Sequence, residues 1–273
     1  MDKNNTSIYS KYVRRRKVKK IIASVGCLGA VGVVVLGSIA LLANNAGAYS
    51  VSLNRGSASL SLSNTESFES SSTYMAANNL PPLNEYTYNA WSEEDDDFVS
   101  LDSELSLTPS PSAEGSTVPY FKYTFYVKNF GDSVAEFSLS LKIEVVGKTT
   151  NGAIDLNSVL RVMFYSNRDL NEHNRRVFAQ RSNFNTEVEN GITVPARERI
   201  STPTSDYAEP FISPNKALSV QERDFAPNDI IRYSFVFWIE GEDPDCIGNP
   251  PDNGLSLSVV INAKEQTQPE TET

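Results

Sequence analysis

A single histidine, His173, stands in this chain of 273 residues, and there are only two cysteines, Cys27 and Cys246. The shortage of histidine removes whole chemistries. A zincin motif needs two histidines one helical turn apart and is therefore absent. A Ser-His-Asp triad would have to use His173, which sits in the polar run Asn171-Glu172-His173-Asn174-Arg175 with no nucleophile elbow near it, so it reads as a solvated loop histidine. The cysteines are far apart, and no disulfide framework staples the chain. Cys246 has the acidic neighbours Asp243 and Asp245, the opposite of what a thiolate nucleophile needs. No glycine-rich phosphate loop is present. These absences predict a protein without catalysis and without a cofactor.

Positive charge is missing from a second place. No Lys or Arg occurs between Gly56 and Phe121, while Ser92-Glu93-Glu94-Asp95-Asp96-Asp97 is a run of like charge. Residues 64–117 therefore read as an acidic, flexible insertion, with Thr108-Pro109-Ser110-Pro111-Ser112 opposing both helix and central strand. Like charges in a row repel and stay in water, and no calcium-loop pattern is present there.

Against these absences stands one long apolar run. Residues 21–43, IIASVGCLGAVGVVVLGSIALLA, carry no charge. At about 1.5 Å per residue such a helix crosses the roughly 30 Å hydrocarbon core of a bilayer. Residues 1–20 hold eight Lys/Arg and one Asp, a charge of +7, so the formal −10 of the chain leaves −17 for the remainder. A basic block beside an apolar span stays in the cytoplasm. The expectation is a cytoplasmic tail over 1–20, a transmembrane or signal-anchor helix over 21–43, and an acidic exported part. Ala46-Gly47-Ala48 also forms an A-x-A pattern, so cleavage there and release into the medium is the other outcome. An acidic ectodomain repels phosphate backbones, which argues against nucleic acid.

Beyond the span no stretch keeps a helical period. Residues 49–63 alternate small polar and apolar side chains and read as the first strand, broken near Arg55-Gly56. From residue 118 the alternation tightens. Phe121, Tyr123, Phe125 and Val127 share one face, and Phe137, Leu139, Leu141, Ile143 and Val145 share another, with Asn129-Phe130-Gly131-Asp132 predicted to turn between them as a hairpin. Residues 159–165 read as a fully buried strand. Residues 229–240, DIIRYSFVFWIE, form the strongest strand, with Ile231, Tyr233, Phe235, Phe237 and Ile239 on its core face. Residues 254–264 alternate again, residues 166–220 show only short strands and loops, and residues 265–273 read as a disordered tail. Seven or so strands separated by Gly, Pro and Asn predict an all-β, jelly-roll-like antiparallel β-sandwich over 118–264.

The turn after the strongest strand crowds Glu240, Glu242, Asp243 and Asp245 around Pro244. A β-turn is the expected reading, since Pro fixes φ and Asp starts turns. The alternative is a calcium- or carbohydrate-binding surface module, with Trp91, Trp238 and the acidic loops as its candidates.

Three further strings carry a likeness. They are Ala58-Ser59-Leu60-Ser61-Leu62, the strand end Val127-Lys128-Asn129-Phe130-Gly131, and Pro227-Asn228-Asp229-Ile230-Ile231-Arg232-Tyr233 followed by Phe237-Trp238-Ile239-Glu240-Gly241-Glu242-Asp243-Pro244. Together with the N-terminal export helix they resemble the TasA/camelysin group of Gram-positive surface proteins. The resemblance covers residues 45–64 and 118–264. It implies a jelly-roll-like sandwich at the cell surface and, for some members, matrix fibres. The partners it implies are other surface or matrix proteins, copies of this chain included.

Overall fold

β13 (Ile230–Glu240) is buried on both faces, and that decides the architecture. Tyr233, Phe235, Phe237 and Ile239 point into one apolar cluster; Val236 and Trp238 point the other way into a second. The computed structural model describes residues 47–80, 83–87, 118–145, 155–168, 175–201, 206–247 and 255–266. All belong to one unit, Asn45–Thr273.

The strands in chain order are β1 (Gly47–Asn54), β2 (Leu60–Ser63), β3 (Tyr74–Leu80), β4 (Glu85–Tyr86), β5 (Tyr120–Asn129), β6 (Ala135–Val145), β7 (Leu160–Ser166), β8 (Arg176–Ala179), β9 (Thr186–Glu189), β10 (Ile192–Pro195), β11 (Glu209–Pro210), β12 (Lys216–Phe225), β13 and β14 (Ser256–Glu265). One sheet runs β12-β6-β14-β1-β3. The other runs β11-β8-β7-β13-β5-β2, with β4 also paired to β13. β9 and β10 form a separate ribbon.

The two sheets face each other across one core, the arrangement of a β-sandwich. Tyr49 of the first sheet lies 3.9 Å from Tyr123 and 5.7 Å from Phe237 of the second, ring centre to ring centre. Phe137 meets Tyr233 edge-on at 6.4 Å. Such offset and edge contacts add to what area burial alone supplies. In the first sheet β6 and β14 keep a buried face and a wetter one, as their alternation requires. In the second, β7 and β13 are covered on both sides, which is why they read as nearly continuous apolar runs. The covering layer includes Tyr86, Ile200 and Ala208, packed with Met163, Val177 and Trp238.

Several expectations are corrected here. β5 and β6 are not a hairpin: β5 pairs with β13 and β2, and β6 with β12 and β14. Alternation tells which face is buried but not which neighbour a strand takes. The chain between them crosses from sheet to sheet around Asn129. Its amide donates to the carbonyls of Ser133 and Phe225, each at 2.9 Å, and its Oδ1 accepts from the Gly131 N–H at 2.9 Å. The sheets are not purely antiparallel either, since β1 runs parallel to β14, β11 to β8 and β4 to β13. The first strand, expected over 49–63, is two strands in different sheets. Gly56 makes the bend between them at φ +54°, where a Cβ would lie 2.2 Å from the Ala263 carbonyl oxygen.

The stretch 64–117 is also not wholly an insertion. Its part Tyr74–Leu80 is β3, hydrogen-bonded antiparallel to β1, and Glu85–Tyr86 is β4. These short segments carry no alternation of their own, and their order comes from a neighbour that already exists. Residues 265 and 266, expected in a disordered tail, are instead held by the fold, since Glu265 ends β14 and the Gln266 N–H reaches the Val134 carbonyl at 2.8 Å. The segment 1–20 expected as a cytoplasmic tail, the segment 21–43 expected as a helix, Ala46, Trp91, the acidic run 92–97, His173 and residues 267–273 lie outside the described residues. Among the described residues no helix is long and apolar enough to cross a membrane.

Candidate functional site

The densest chemistry lies where β13 ends. Past Glu240 the backbone folds back on itself: the Asp243 N–H reaches the Glu240 carbonyl at 3.1 Å, and the Cys246 and Ile247 N–H groups reach the Asp243 carbonyl at 2.8 and 3.1 Å. Asp243 also caps its own turn, its Oδ1 accepting from the Asp245 N–H at 2.9 Å. Its Oδ2 meets Nη2 of Arg161 on β7 at 2.7 Å, with the side chains 1% and 2% exposed. The same guanidinium donates from Nε to the Arg199 carbonyl at 3.0 Å. Asp245 accepts from the Asn183 amide at 3.2 Å, and Glu240 accepts from the Trp238 indole at 3.0 Å.

This turn gathers negative charge out of water, and the acidities record it. Burial, and then the neighbouring Asp243, raise the Glu198 carboxyl above its ordinary range against the opposing pull of Ser182 and Arg161. Burial and Asp243 likewise raise Asp245, opposed by Asn183, Ser158 and Arg161. The Cys246 thiol is pushed up to about 12, first by burial and then by Glu85, Asp243 and Glu240. It is a protonated packing group, as its acidic neighbours predict.

The candidates read from sequence fare unevenly. Glu240, Asp243 and Asp245 do come together, but each bonds a protein donor, and among the described residues no three His, Cys, Asp or Glu side chains converge to hold a metal ion. Trp238 is fully buried in the second apolar cluster, so it offers no stacking face to a sugar. Gly47 and Ala48 of the A-x-A pattern lie in β1, with the Ala48 N–H bonded to the Leu255 carbonyl at 3.0 Å.

A second feature had only one trace in the sequence. The ribbon β9–β10 turns at Asn190 (φ 51°) and Gly191 (φ 79°), the backbone a two-residue hairpin demands. On one face Arg181 bonds Glu187 at 2.9 Å and Glu189 at 2.7 Å, and Arg197 adds a contact to Glu187 at 3.2 Å. The opposite face, with Thr186, Val188, Thr193 and Pro195, is open. Three large apolar side chains of this excursion are exposed: Phe184 (71%) just before β9, Val188 (70%) on the open face, and Ile192 (65%), which the register sets opposite Glu189 on the ion-paired face. A cleft of about 270 Å³ beside β7, β8 and β12 is lined in part by Arg168, Arg176 and Glu222. Its guanidiniums are engaged, Arg168 by Glu222 and Arg176 by Glu209.

Compared with known proteins, the chain matches no family model and no curated sequence.

Proposed function

We propose that this chain is an exported bacterial cell-surface or extracellular-matrix protein that works through protein–protein contacts and not through catalysis. The exposed apolar side chains of the β9–β10 ribbon carry the reading. Phe184 just before β9, Val188 on one face of the ribbon and Ile192 on the other hold large apolar side chains 65–71% exposed, which suits an excursion gripped by a partner from both sides. The ion pairs of Arg181 hold the ribbon in shape without covering those residues. Export rests on the basic block and the apolar run of the first 43 residues, with membrane attachment or cleavage after Ala48 as its two outcomes. A jelly-roll-like sandwich and membership of the TasA/camelysin group are part of the same proposal, supported by the two facing sheets and by the strings quoted above.

The test is a triple variant, Phe184→Ser, Val188→Ser and Ile192→Ser, made in the full chain in its native cells. Exposed substitutions change stability by about 0.5 kcal/mol or less each, so the fold should survive. The proposal expects cross-linked complexes of the native protein to vanish in the variant. Their persistence unchanged would contradict it.

A further inference from the structure

The carboxyl groups at the end of β13 outnumber the cation that faces them, and they join segments distant in sequence. Arg161 stands on β7; Asp243 and Asp245 stand on the turn after β13. Glu198 arrives on the segment that follows the ribbon, and Ser182 and Asn183 on the segment that precedes it. Glu198 faces Asp243, Asp245, Arg161 and the Ser182 hydroxyl. Asp245 faces Asp243, Arg161, Asn183 and Ser158. Glu240 and Glu85 lie close enough to act on the neighbouring Cys246. The one guanidinium is committed to Asp243 and to the Arg199 carbonyl, and its Nη1 is buried without a hydrogen-bond partner.

We infer that this cluster is a proton-operated clamp on residues 182–199, the excursion that carries the ribbon. With Glu198 and Asp245 both protonated, a single carboxylate, Asp243, faces Arg161 and the charges balance. With both ionised, three carboxylates share one guanidinium in a site with little water, and like charges at close range in such a site repel strongly. Two of these carboxyls belong to different segments, so the repulsion pushes the excursion off the turn. Both carboxyls feel the charge of Asp243, so their protons leave in steps set by the cluster.

The direction is fixed by linkage. A carboxyl that holds its proton more tightly when folded stabilises the fold fully below its unfolded value, about 4 for Asp and Glu, and that contribution is lost as pH rises through the higher folded value. The clamp therefore closes in mild acid and loosens toward neutral and alkaline pH. Opening frees the apolar ribbon as a unit, whatever the ribbon contacts.

The experiment is amide hydrogen exchange on the full chain at pH 5 and pH 8, with rates corrected for the intrinsic pH dependence of exchange, in the native sequence and in Glu198→Gln and Asp245→Asn. The inference expects residues 182–199 of the native protein to open several-fold more often at pH 8 than at pH 5. Either neutral amide should flatten that difference, while β13 and β14 stay protected in all three proteins. Equal protection of residues 182–199 at both pH values in the native protein overturns the inference. So does a pH dependence that survives in both variants. If one variant fails to fold, the other and the native profile still decide.

Discussion

The Arg161 guanidinium meets the Asp243 carboxylate at 2.7 Å with both side chains all but removed from water, and this contact ties β7 to the turn that ends β13. Removing one member of such a pair leaves an uncompensated buried charge, which costs about 3–5 kcal/mol. Asp243→Asn should therefore destabilise strongly in denaturant titration. Arg161→Met combined with Asp243→Leu should cost less than the sum of its two single changes. Strict additivity would mean the two charges do not interact.

β13 should prove sensitive on both faces. Phe235 and Trp238 are each fully buried, in the inter-sheet core and in the outer cluster. Truncation of a buried aromatic costs about 3–5 kcal/mol, so Phe235→Ala and Trp238→Ala should lower the unfolding midpoint comparably. Ser234, the residue before Phe235, is not a silent control, because its hydroxyl meets that of Thr124 at 2.9 Å in a buried position. Ser234→Ala should cost about 1 kcal/mol. A small loss at Trp238 alone would mean the outer layer does not form.

Gly56 and Gly191 share a left-handed backbone but not its consequences. A Cβ on Gly56 strikes the Ala263 carbonyl, whereas nothing lies within 4 Å of one on Gly191. Gly56→Ala should move β14 and destabilise by several kcal/mol, while Gly191→Ala carries only the strain of its φ, about 1 kcal/mol. Thermal melts of the two variants make the comparison. Equal effects would contradict the close approach of residue 56 to β14.

The Tyr49 hydroxyl is buried in the core with no hydrogen-bond partner, and burial, with Tyr123 beside it, raises its pKa well above the ordinary value. An unsatisfied buried hydroxyl is a cost, so Tyr49→Phe should raise stability by about 1 kcal/mol. A loss of similar size would show that the hydroxyl has a partner, such as a buried water.

The strands with strong alternation were legible from sequence, as β6, β13 and β14 show, because burial of one face writes itself into every second residue. Partner choice was not. β5 and β6 look like a hairpin on the page, and only the bonds of the Asn129 side chain to Ser133 and Phe225 show the chain leaving one sheet for the other. β3 was missed because seven uncharged residues without alternation have no signature beyond the neighbour they pair with. The ribbon does have a local signature, since Asn190-Gly191 between two short runs is a strong hairpin signal. The acidic turn was visible as a cluster. Its actual role depends on Arg161 and Glu198, which lie 82 and 45 positions from Asp243 and which no local motif connects to it.

Protease treatment of intact native cells, with the culture medium collected alongside, tests the proposed export most directly. The account predicts that peptides from residues 118–264 are released from the surface or found in the medium, while residues 11–20 stay protected until lysis or leave with the cleaved segment. Recovery of residues 118–264 only after lysis, from the cytoplasmic fraction, would contradict it.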